Sequence, residues 1–132
     1  MSRVLIVIDD TRDRDRVHAA LSIEGNELID HQDSGSAAER AATELVDVAV
    51  VDLRVGSMGG MAVAREFRAH DERIPVVLLL DRQADTFLAG RSGASAWVTK
   101  PFTAAALRAA VTTATRSGVA DPPGSNPDSE NQ

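Results

Sequence analysis

The 132-residue chain contains no cysteine, few aromatic residues and no long apolar run. Without cysteine, neither a disulfide framework nor a thiolate metal site can form. Aromatic residues make up only 3% of the chain, so we expect a core of aliphatic side chains and alanine. No apolar run approaches the roughly 20 residues of a membrane span, and no secretory leader precedes the first apolar segment. These absences favour a single cytoplasmic domain without a membrane partner.

The charge of the chain is unevenly distributed. The net charge is −6, and residues 121–132 contribute three acidic residues and no basic one. The remaining chain is only mildly acidic and lacks the concentrated basic patch that nucleic-acid binding requires, so we expect no direct nucleic-acid partner. From residue 118 onwards the sequence is poor in apolar residues and rich in Pro, Gly and Asn. We interpret residues 1–117 as one domain and residues 118–132 as a disordered tail or the start of a linker.

Short apolar segments alternate with segments of helical periodicity. All-apolar, β-branched runs of this length are typical of parallel strands that are buried on both faces. Five β-α units therefore predict an α/β fold, a three-layer, doubly wound, five-stranded parallel sheet. The predicted strands are Val4–Ile8, Leu28–Ile29, Val48–Val51, Val76–Leu80 and Ala96–Thr99.

Two helix starts have recognisable capping patterns. Ser36 and Glu39 match a capping box, which predicts a helix through Leu45. The inward face of that helix should consist of Ala37, Ala38, Ala41 and Leu45. Thr103 is a suitable N-cap for the last helix.

The first helix is predicted from Asp13 to Glu24, where Val17, Ala20 and Leu21 recur at helical spacing.

Charged residues follow three of the predicted strands. Asp9 and Asp10 follow the first strand, Asp52 the third and Lys100 the fifth. The carboxyl ends of parallel strands form the functional edge of such sheets, so we expect these groups to converge. Carboxylate oxygens suit Mg²⁺ and a lysine suits an anion. A carboxylate beside both can act as a nucleophile towards a phosphoryl group, although each residue alone is also typical of a turn or a helix cap.

These segments resemble the response-regulator receiver domain of two-component signalling. The matching stretches are LIVIDD, VDVAVVDLRVGSMGG, IPVVLLL and GASAWVTKPF, and the resemblance covers residues 3–116. It implies a flavodoxin-like sheet with strand order 2-1-3-4-5. It also implies that Asp52 is the phosphoacceptor, that Lys100 contacts the phosphoryl group and that Lys100-Pro101 is a cis peptide. The Mg²⁺ ligands would be Asp9, Asp10, Asp52 and the backbone carbonyl of Arg54.

The resemblance further implies a signalling phosphoprotein of a phosphorelay and not an enzyme. Its phosphodonor would be a histidine kinase or a phosphotransfer protein. A downstream protein would bind the face formed by the fourth helix, the fifth strand and the fifth helix, and a weak homodimer is a further expectation. No output domain follows the predicted domain, so we expect a single-domain receiver that acts through another protein.

The sequence departs from the family at the end of the fourth strand, where receivers carry Thr or Ser. Leu80 occupies that position, or Asp81 if the register shifts by one residue. Neither offers a hydroxyl group to a phosphoryl oxygen, so we expect an impaired switch that leaves Trp97 fixed. Arg54 is expected to pair with the acidic cluster when metal is absent.

There are two alternative functions: Leu80 and Asp81 motivate the first, and a similar topology the second. An atypical receiver would act as a protein-binding module that does not depend on phosphorylation. A Mg²⁺-dependent phosphatase with an aspartyl intermediate would need an Asp-x-Asp pattern at the first strand end. Asp9-Asp10 and Asp52-Leu53-Arg54 do not match that pattern.

Overall fold

A computed structural model of the chain describes residues 2–54, 59–70 and 74–120, with side chains up to residue 116. The five strands form one parallel sheet in the order β2-β1-β3-β4-β5, which confirms the predicted fold and strand order. The strands are β1 (Arg3–Val7), β2 (Glu27–Asp30), β3 (Val48–Asp52), β4 (Val76–Leu80) and β5 (Ala96–Thr99). The helices are α1 (Thr11–Ser22), α2 (Ala37–Glu44), α3 (Gly60–Ala69), α4 (Thr86–Arg91) and α5 (Ala104–Ala120).

Alternate residues of the central strands enter two separate aliphatic cores, one on each face of the sheet. Val4 and Ile6 of β1 pack towards α1 and α5, whereas Leu5 and Val7 pack towards α2 and α3. This two-sided burial explains why β1, β3 and β4 are almost entirely apolar. The polar groups of these strands are therefore confined to the strand ends, which is where a site can form.

The predicted capping box at the start of α2 is wrong. Ser36 precedes α2, but its side chain makes no cap hydrogen bond to the helix. The hydroxyl of Ser36 instead donates to Asp33 Oδ2 at 3.0 Å and lies 2.9 Å from His31 Nε2. A short 3-10 turn, Ser34–Ser36, leads into α2 and turns this side chain away from the first helical turn.

Leu45 was predicted to face the core, and this prediction is also wrong. The residue ends α2 in the left-handed conformation, with φ of 57°, and its side chain is 74% exposed. Its backbone N–H donates to Ala42 O at 3.2 Å, which closes the helix. The left-handed turn rotates the side chain away from the buried stripe of Ala37, Ala38 and Ala41.

The ends of α1 and α5 differ from the sequence prediction. Helix α1 begins at Thr11 and not at Asp13, because Asp10 is its N-cap. Helix α5 has Thr103 at its start, where Thr103 Oγ1 accepts the N–H of Ala106 at 3.0 Å. The backbone of α5 is helical through Ala120, so residues 118–120 belong to the helix, whereas residues 121–132 of the predicted tail lie outside the described residues. None of the helices in the described part of the chain is long and apolar enough to cross a bilayer.

Candidate functional site

A cleft of about 520 Å³ opens at the carboxyl edge of the sheet, where β1, β3, β4 and β5 end. Five carboxylates and two cationic side chains line it. They are Asp9, Asp10, Asp13, Asp52, Asp81, Arg54 and Lys100. The structure thus brings together all the acidic and basic residues that the sequence placed at strand ends, and it adds Asp13 to them.

Asp52 lies at the base of the cleft as the last residue of β3 and is 3% exposed. Its Oδ1 accepts the backbone N–H of Arg54 at 3.0 Å, and its Oδ2 accepts the Lys100 ammonium at 2.9 Å. Gly60 packs directly under this turn: a Cβ at that position would lie 2.5 Å from the Asp52 carbonyl oxygen. The start of α3 therefore needs a glycine to pass so close to the backbone of the acidic residue.

Lys100 stands at the centre of the charged groups. Its ammonium lies 2.9 Å from Asp52 Oδ2, 2.9 Å from Asp13 Oδ2 and 3.2 Å from Asp81 Oδ1. Its backbone N–H donates to Leu80 O at 2.8 Å, and the Lys100-Pro101 peptide is cis, as the resemblance implied. Burial is the largest single influence on the pKa of Lys100 and lowers it. The hydrogen bonds that Lys100 donates to Asp13, Asp52 and Asp81, together with the charge of Asp52, outweigh burial. The pKa of Lys100 is therefore raised, and the side chain is a permanent cation at neutral pH.

Asp10 lines the cleft and is also the N-cap of α1. Its Oδ1 accepts the N–H of Arg12 at 2.8 Å and that of Asp13 at 3.1 Å, so it caps α1. The hydrogen bond from the Asp13 N–H is the main reason why the pKa of Asp10 is lowered, against a smaller opposing effect of desolvation. Asp9 and Asp10 are both exposed at the mouth of the cleft.

The donor set of the cleft fits Mg²⁺ in its chemistry. Asp9, Asp10 and Asp52 supply carboxylate oxygens, which are the ligands that this ion prefers. In the described part of the chain, however, no three acidic or histidine side chains are gathered closely enough to hold a metal as they stand. Asp10 is turned towards the start of α1 and Asp52 towards Lys100, so ion binding requires these carboxylates to reorient.

Leu80 and Asp81, the two candidates for the usual hydroxyl position, have separate environments. Leu80 is fully buried in the aliphatic core on the α3 side of the sheet. Asp81 lines the cleft and contacts Lys100 at 3.2 Å and the Arg54 guanidinium at 3.4 Å. Arg54 was predicted to pair with the cluster of Asp9, Asp10 and Asp52. Its ion pair with Asp81, through a guanidinium side chain that is 76% exposed, joins it to a residue outside that cluster.

Asp13 is the one cleft residue that the sequence analysis missed. It lies in the first turn of α1, three residues after the N-cap Asp10, and its side chain is 16% exposed. An acidic residue three positions after a capping acid lies in the same helical turn as that acid. This spacing therefore indicates a second carboxylate near the strand ends. The apolar periodicity places the start of α1 at Asp13, which conceals this relationship.

Trp97 lies on β5, the edge strand, and is 36% exposed. Phe87 and Leu88 on the neighbouring α4 are 69% and 52% exposed. The guanidinium of Arg91 lies 5.7 Å from the centre of the Phe87 ring. This side of the domain therefore presents an apolar surface that is separate from the charged cleft.

The sheet order and the charged cleft at its carboxyl edge define the class of the domain: a doubly wound α/β protein with a receiver-type site. The response regulator receiver domain model matches residues 4–112. The chain belongs to this family.

Two curated relatives are longer than this chain. It is 30% identical over 102 residues to the virulence transcriptional regulatory protein PhoP of Shigella flexneri. It is 33% identical over 104 residues to PhoP of Salmonella typhimurium. These matches cover 76% and 77% of this chain but 46% of each relative. The chain thus spans about half the length of the curated relatives that it matches.

Solved structures show the same fold. NtrX of Brucella abortus superimposes with a TM-score of 0.78 at 26% identity, over 89% of this chain and 27% of NtrX. The receiver domain of a Pseudomonas aeruginosa sensor histidine kinase has a TM-score of 0.77 at 24% identity, over 87% of this chain and 98% of that one. In that structure a magnesium ion is coordinated in the active site cleft.

Proposed function

We propose that this domain accepts a phosphoryl group on Asp52 from a histidine kinase or a phosphotransfer protein. The carboxylate of Asp52 would attack phosphorus and form an acyl phosphate, while the bond to the donor breaks and the donor group retains the electron pair. The observation that carries the proposal is the pair of Asp52 and Lys100, which are 48 residues apart in sequence and joined at 2.9 Å in the cleft. The domain would serve as the acceptor substrate of its donor and not as an enzyme.

The surrounding residues suit this chemistry. Lys100 is a permanent cation that can neutralise charge as it develops on the phosphoryl oxygens. The backbone N–H of Arg54 holds one carboxylate oxygen of Asp52 and so fixes the direction of the nucleophile. Mg²⁺, bound through Asp9, Asp10, Asp52 and the Arg54 carbonyl, would supply further charge neutralisation. The carboxylate chemistry of the cleft and the magnesium ion in the similar P. aeruginosa domain support this metal.

We further propose that the surface of α4, β5 and α5 binds the downstream protein in the cytoplasm. Phe87, Leu88 and Trp97 supply exposed apolar area on this side. Apolar side chains that are grouped on a surface favour protein association. The alternative is that the same surface mediates weak homodimerisation.

A second candidate function is a protein-binding module that does not depend on phosphorylation. The observation that favours it is Asp81, which places a carboxylate in the cleft and offers no hydroxyl group there. The negative charge of the Asp81 carboxylate repels an incoming phosphoryl dianion.

Intact-mass measurement after incubation with acetyl phosphate and Mg²⁺ separates the two functions. The wild type should gain the mass of one phosphoryl group, and Asp52→Asn should gain none. Asp15→Asn is a matched control, because Asp15 lies on α1 outside the cleft, and it should behave as the wild type does. A full mass gain in Asp52→Asn would refute the assignment of the acceptor. No gain in any protein would favour the phosphorylation-independent module.

A further inference from the structure

The ammonium group of Lys100 has no donor left for another ligand. Lys100 is the only lysine of the chain, and its ammonium has three N–H donors and no acceptor. Three carboxylates lie within hydrogen-bonding distance of it, those of Asp13, Asp52 and Asp81. A phosphoryl group on Asp52 must therefore take a donor that Asp52 itself now uses, and it competes with Asp13 and Asp81 for the other two.

Asp13 is held more firmly in this arrangement than Asp81. Asp13 Oδ2 lies 2.9 Å from the ammonium and its side chain is 16% exposed, against 3.2 Å and 28% for Asp81. Asp81 also contacts Arg54, so it keeps a cationic partner when Lys100 moves. Among the ion pairs of the described residues, Asp13 pairs with Lys100 alone.

The backbone around Asp13 fixes its side chain towards the cleft. The N–H of Asp13 donates to Asp10 Oδ1, so the first turn of α1 is anchored at the end of β1. Asp13 and Lys100 are 87 residues apart in sequence, and their contact joins α1 to the end of β5. The cleft also contains five carboxylates against two cations, so a further dianion enters a region that is already negative.

We propose that Asp13 is a positioning residue that competes with the phosphoryl group for Lys100 and so holds the site in its unphosphorylated state. This inference rests on the proposed function of Asp52 as the acceptor. Removal of the Asp13 charge weakens the hydrogen bond that holds one donor of Lys100 and reduces the negative charge of the cleft. Both effects favour a phosphoryl group, or a mimic of one, on Asp52.

The test compares Asp13→Asn with Asp15→Asn for binding of beryllium fluoride, which mimics a phosphoryl group on a carboxylate. Affinity in the presence of Mg²⁺ is read by ¹⁹F NMR. In Asp13→Asn a neutral hydrogen bond replaces the charge-assisted one between Lys100 and Asp13. This variant should therefore bind beryllium fluoride roughly tenfold more tightly than the wild type. Asp15→Asn should bind as the wild type does, since Asp15 carries the same charge on the same helix outside the cleft. An unchanged or weaker affinity in Asp13→Asn would overturn the inference.

A second measurement separates positioning from a merely structural role. Acylation by a succinimidyl ester reports on Lys100 alone among side-chain amines, with the amino terminus as an internal reference. In the wild type the reaction should be slow, because three carboxylates surround the Lys100 amino group and hold it by hydrogen bonds. Asp13→Asn should accelerate it several-fold and Asp15→Asn should not. Equal rates in all three proteins would also overturn the inference.

The two proposals fail in different ways. If the wild type takes up a phosphoryl group on Asp52 but Asp13→Asn binds beryllium fluoride no better, only the role of Asp13 is refuted. If neither protein takes up a phosphoryl group, the proposed function fails and the role of Asp13 fails with it. Uptake by Asp13→Asn but not by the wild type would support the competition by Asp13 and would refute phosphorylation of the wild-type domain.

Discussion

Leu80 and Asp81 are neighbours at the end of β4, yet Leu80 is fully buried in the core and Asp81 faces the charged cleft. Leu80 therefore contributes to packing, whereas Asp81 contributes to the charge of the cleft. Leu80 packs on the α3 side of the sheet, and Asp81 contacts Lys100 and Arg54. A hydroxyl group introduced at Asp81 would lie at the cleft, whereas one introduced at Leu80 would replace an apolar contact of the core.

We expect Asp81→Thr to create a phosphorylation-dependent change in the fluorescence of Trp97, the only tryptophan of the chain. A hydroxyl hydrogen bond to a phosphoryl oxygen would exist only in the phosphorylated state, and such a difference is what shifts a conformational equilibrium. The wild type should change little. A full fluorescence change in the phosphorylated wild type would show that the domain switches by another route.

Leu80→Thr is expected to cost stability instead. The substitution removes buried apolar volume and places a hydroxyl group in an aliphatic core, which costs about 2–4 kcal/mol in the free energy of unfolding. Urea unfolding measures this loss, with Asp81→Thr as the control at the adjacent position. Equal free energies of unfolding in the two variants would contradict the placement of Leu80 in the core and of Asp81 at the cleft.

Lys100→Met should lower the free energy of unfolding by about 1–3 kcal/mol, because it leaves three carboxylates without their shared cation. Arg54→Met removes the other cation of the cleft and should cost less than about 0.5 kcal/mol, since that side chain is largely exposed. Equal losses in the two variants would contradict the central place of Lys100 in the cleft.

The contribution of Lys100 should also have a defined pH dependence. Its pKa is raised in the folded state. The stabilisation is then fully present below the unfolded pKa of about 10.4 and is lost as the pH rises through the folded value. The stability difference between the wild type and Lys100→Met should therefore be constant from about pH 7 to about pH 9. A difference that shrinks over this range would mean that the cation is not stabilised as the contacts indicate.

Asp10 is expected to serve both the helix and the metal, and two substitutions separate these roles. Asp10→Ala removes the cap of α1 and should lower the melting temperature without any metal. Asp10→Asn keeps a capping oxygen and removes the charge. The wild type should gain melting temperature with millimolar Mg²⁺ by ligand linkage, and both variants should lose that gain. A wild type that does not respond to Mg²⁺ would argue against a metal site here.

Gly60→Ala should disturb the turn that holds Asp52. The added Cβ would lie 2.5 Å from the Asp52 carbonyl oxygen and 2.7 Å from Leu53 Cα, so the backbone must move. We expect a loss of about 1–3 kcal/mol together with slower phosphorylation. Gly35→Ala is the control, because the nearest atom to its Cβ is 3.5 Å away on a side chain. Tolerance of alanine at both positions would contradict the close approach of α3.

Much of the fold followed from the sequence, because the strands of a doubly buried sheet are continuous apolar runs. The predicted strand β4 agrees with the observed one residue for residue, and the end of β3 correctly located Asp52. The convergence of Asp52 and Lys100 also followed, since parallel strands end at the same edge. Strand order came from the family resemblance and not from the periodicity.

The errors arose where side-chain direction decides the outcome. A capping pattern at Ser36 does not reveal that a 3-10 turn precedes α2, and the apolar character of Leu45 does not reveal a left-handed helix end. Counting residues along β4 left open which of two neighbours faces the cleft, because successive side chains point to opposite faces. Asp13 was missed because its role depends on where α1 begins, which Asp10 determines.

Reduction of the phosphorylated protein with borohydride tests the central claim most directly, because it converts an acyl-phosphorylated aspartate into homoserine. Peptide mass mapping then identifies the modified residue among the five acidic residues of the cleft. The account predicts homoserine at position 52, dependent on Mg²⁺ and absent after chelation. Homoserine at position 9, 10, 13 or 81 in place of position 52, or no homoserine at any of the five positions after complete phosphodonor treatment, would contradict it.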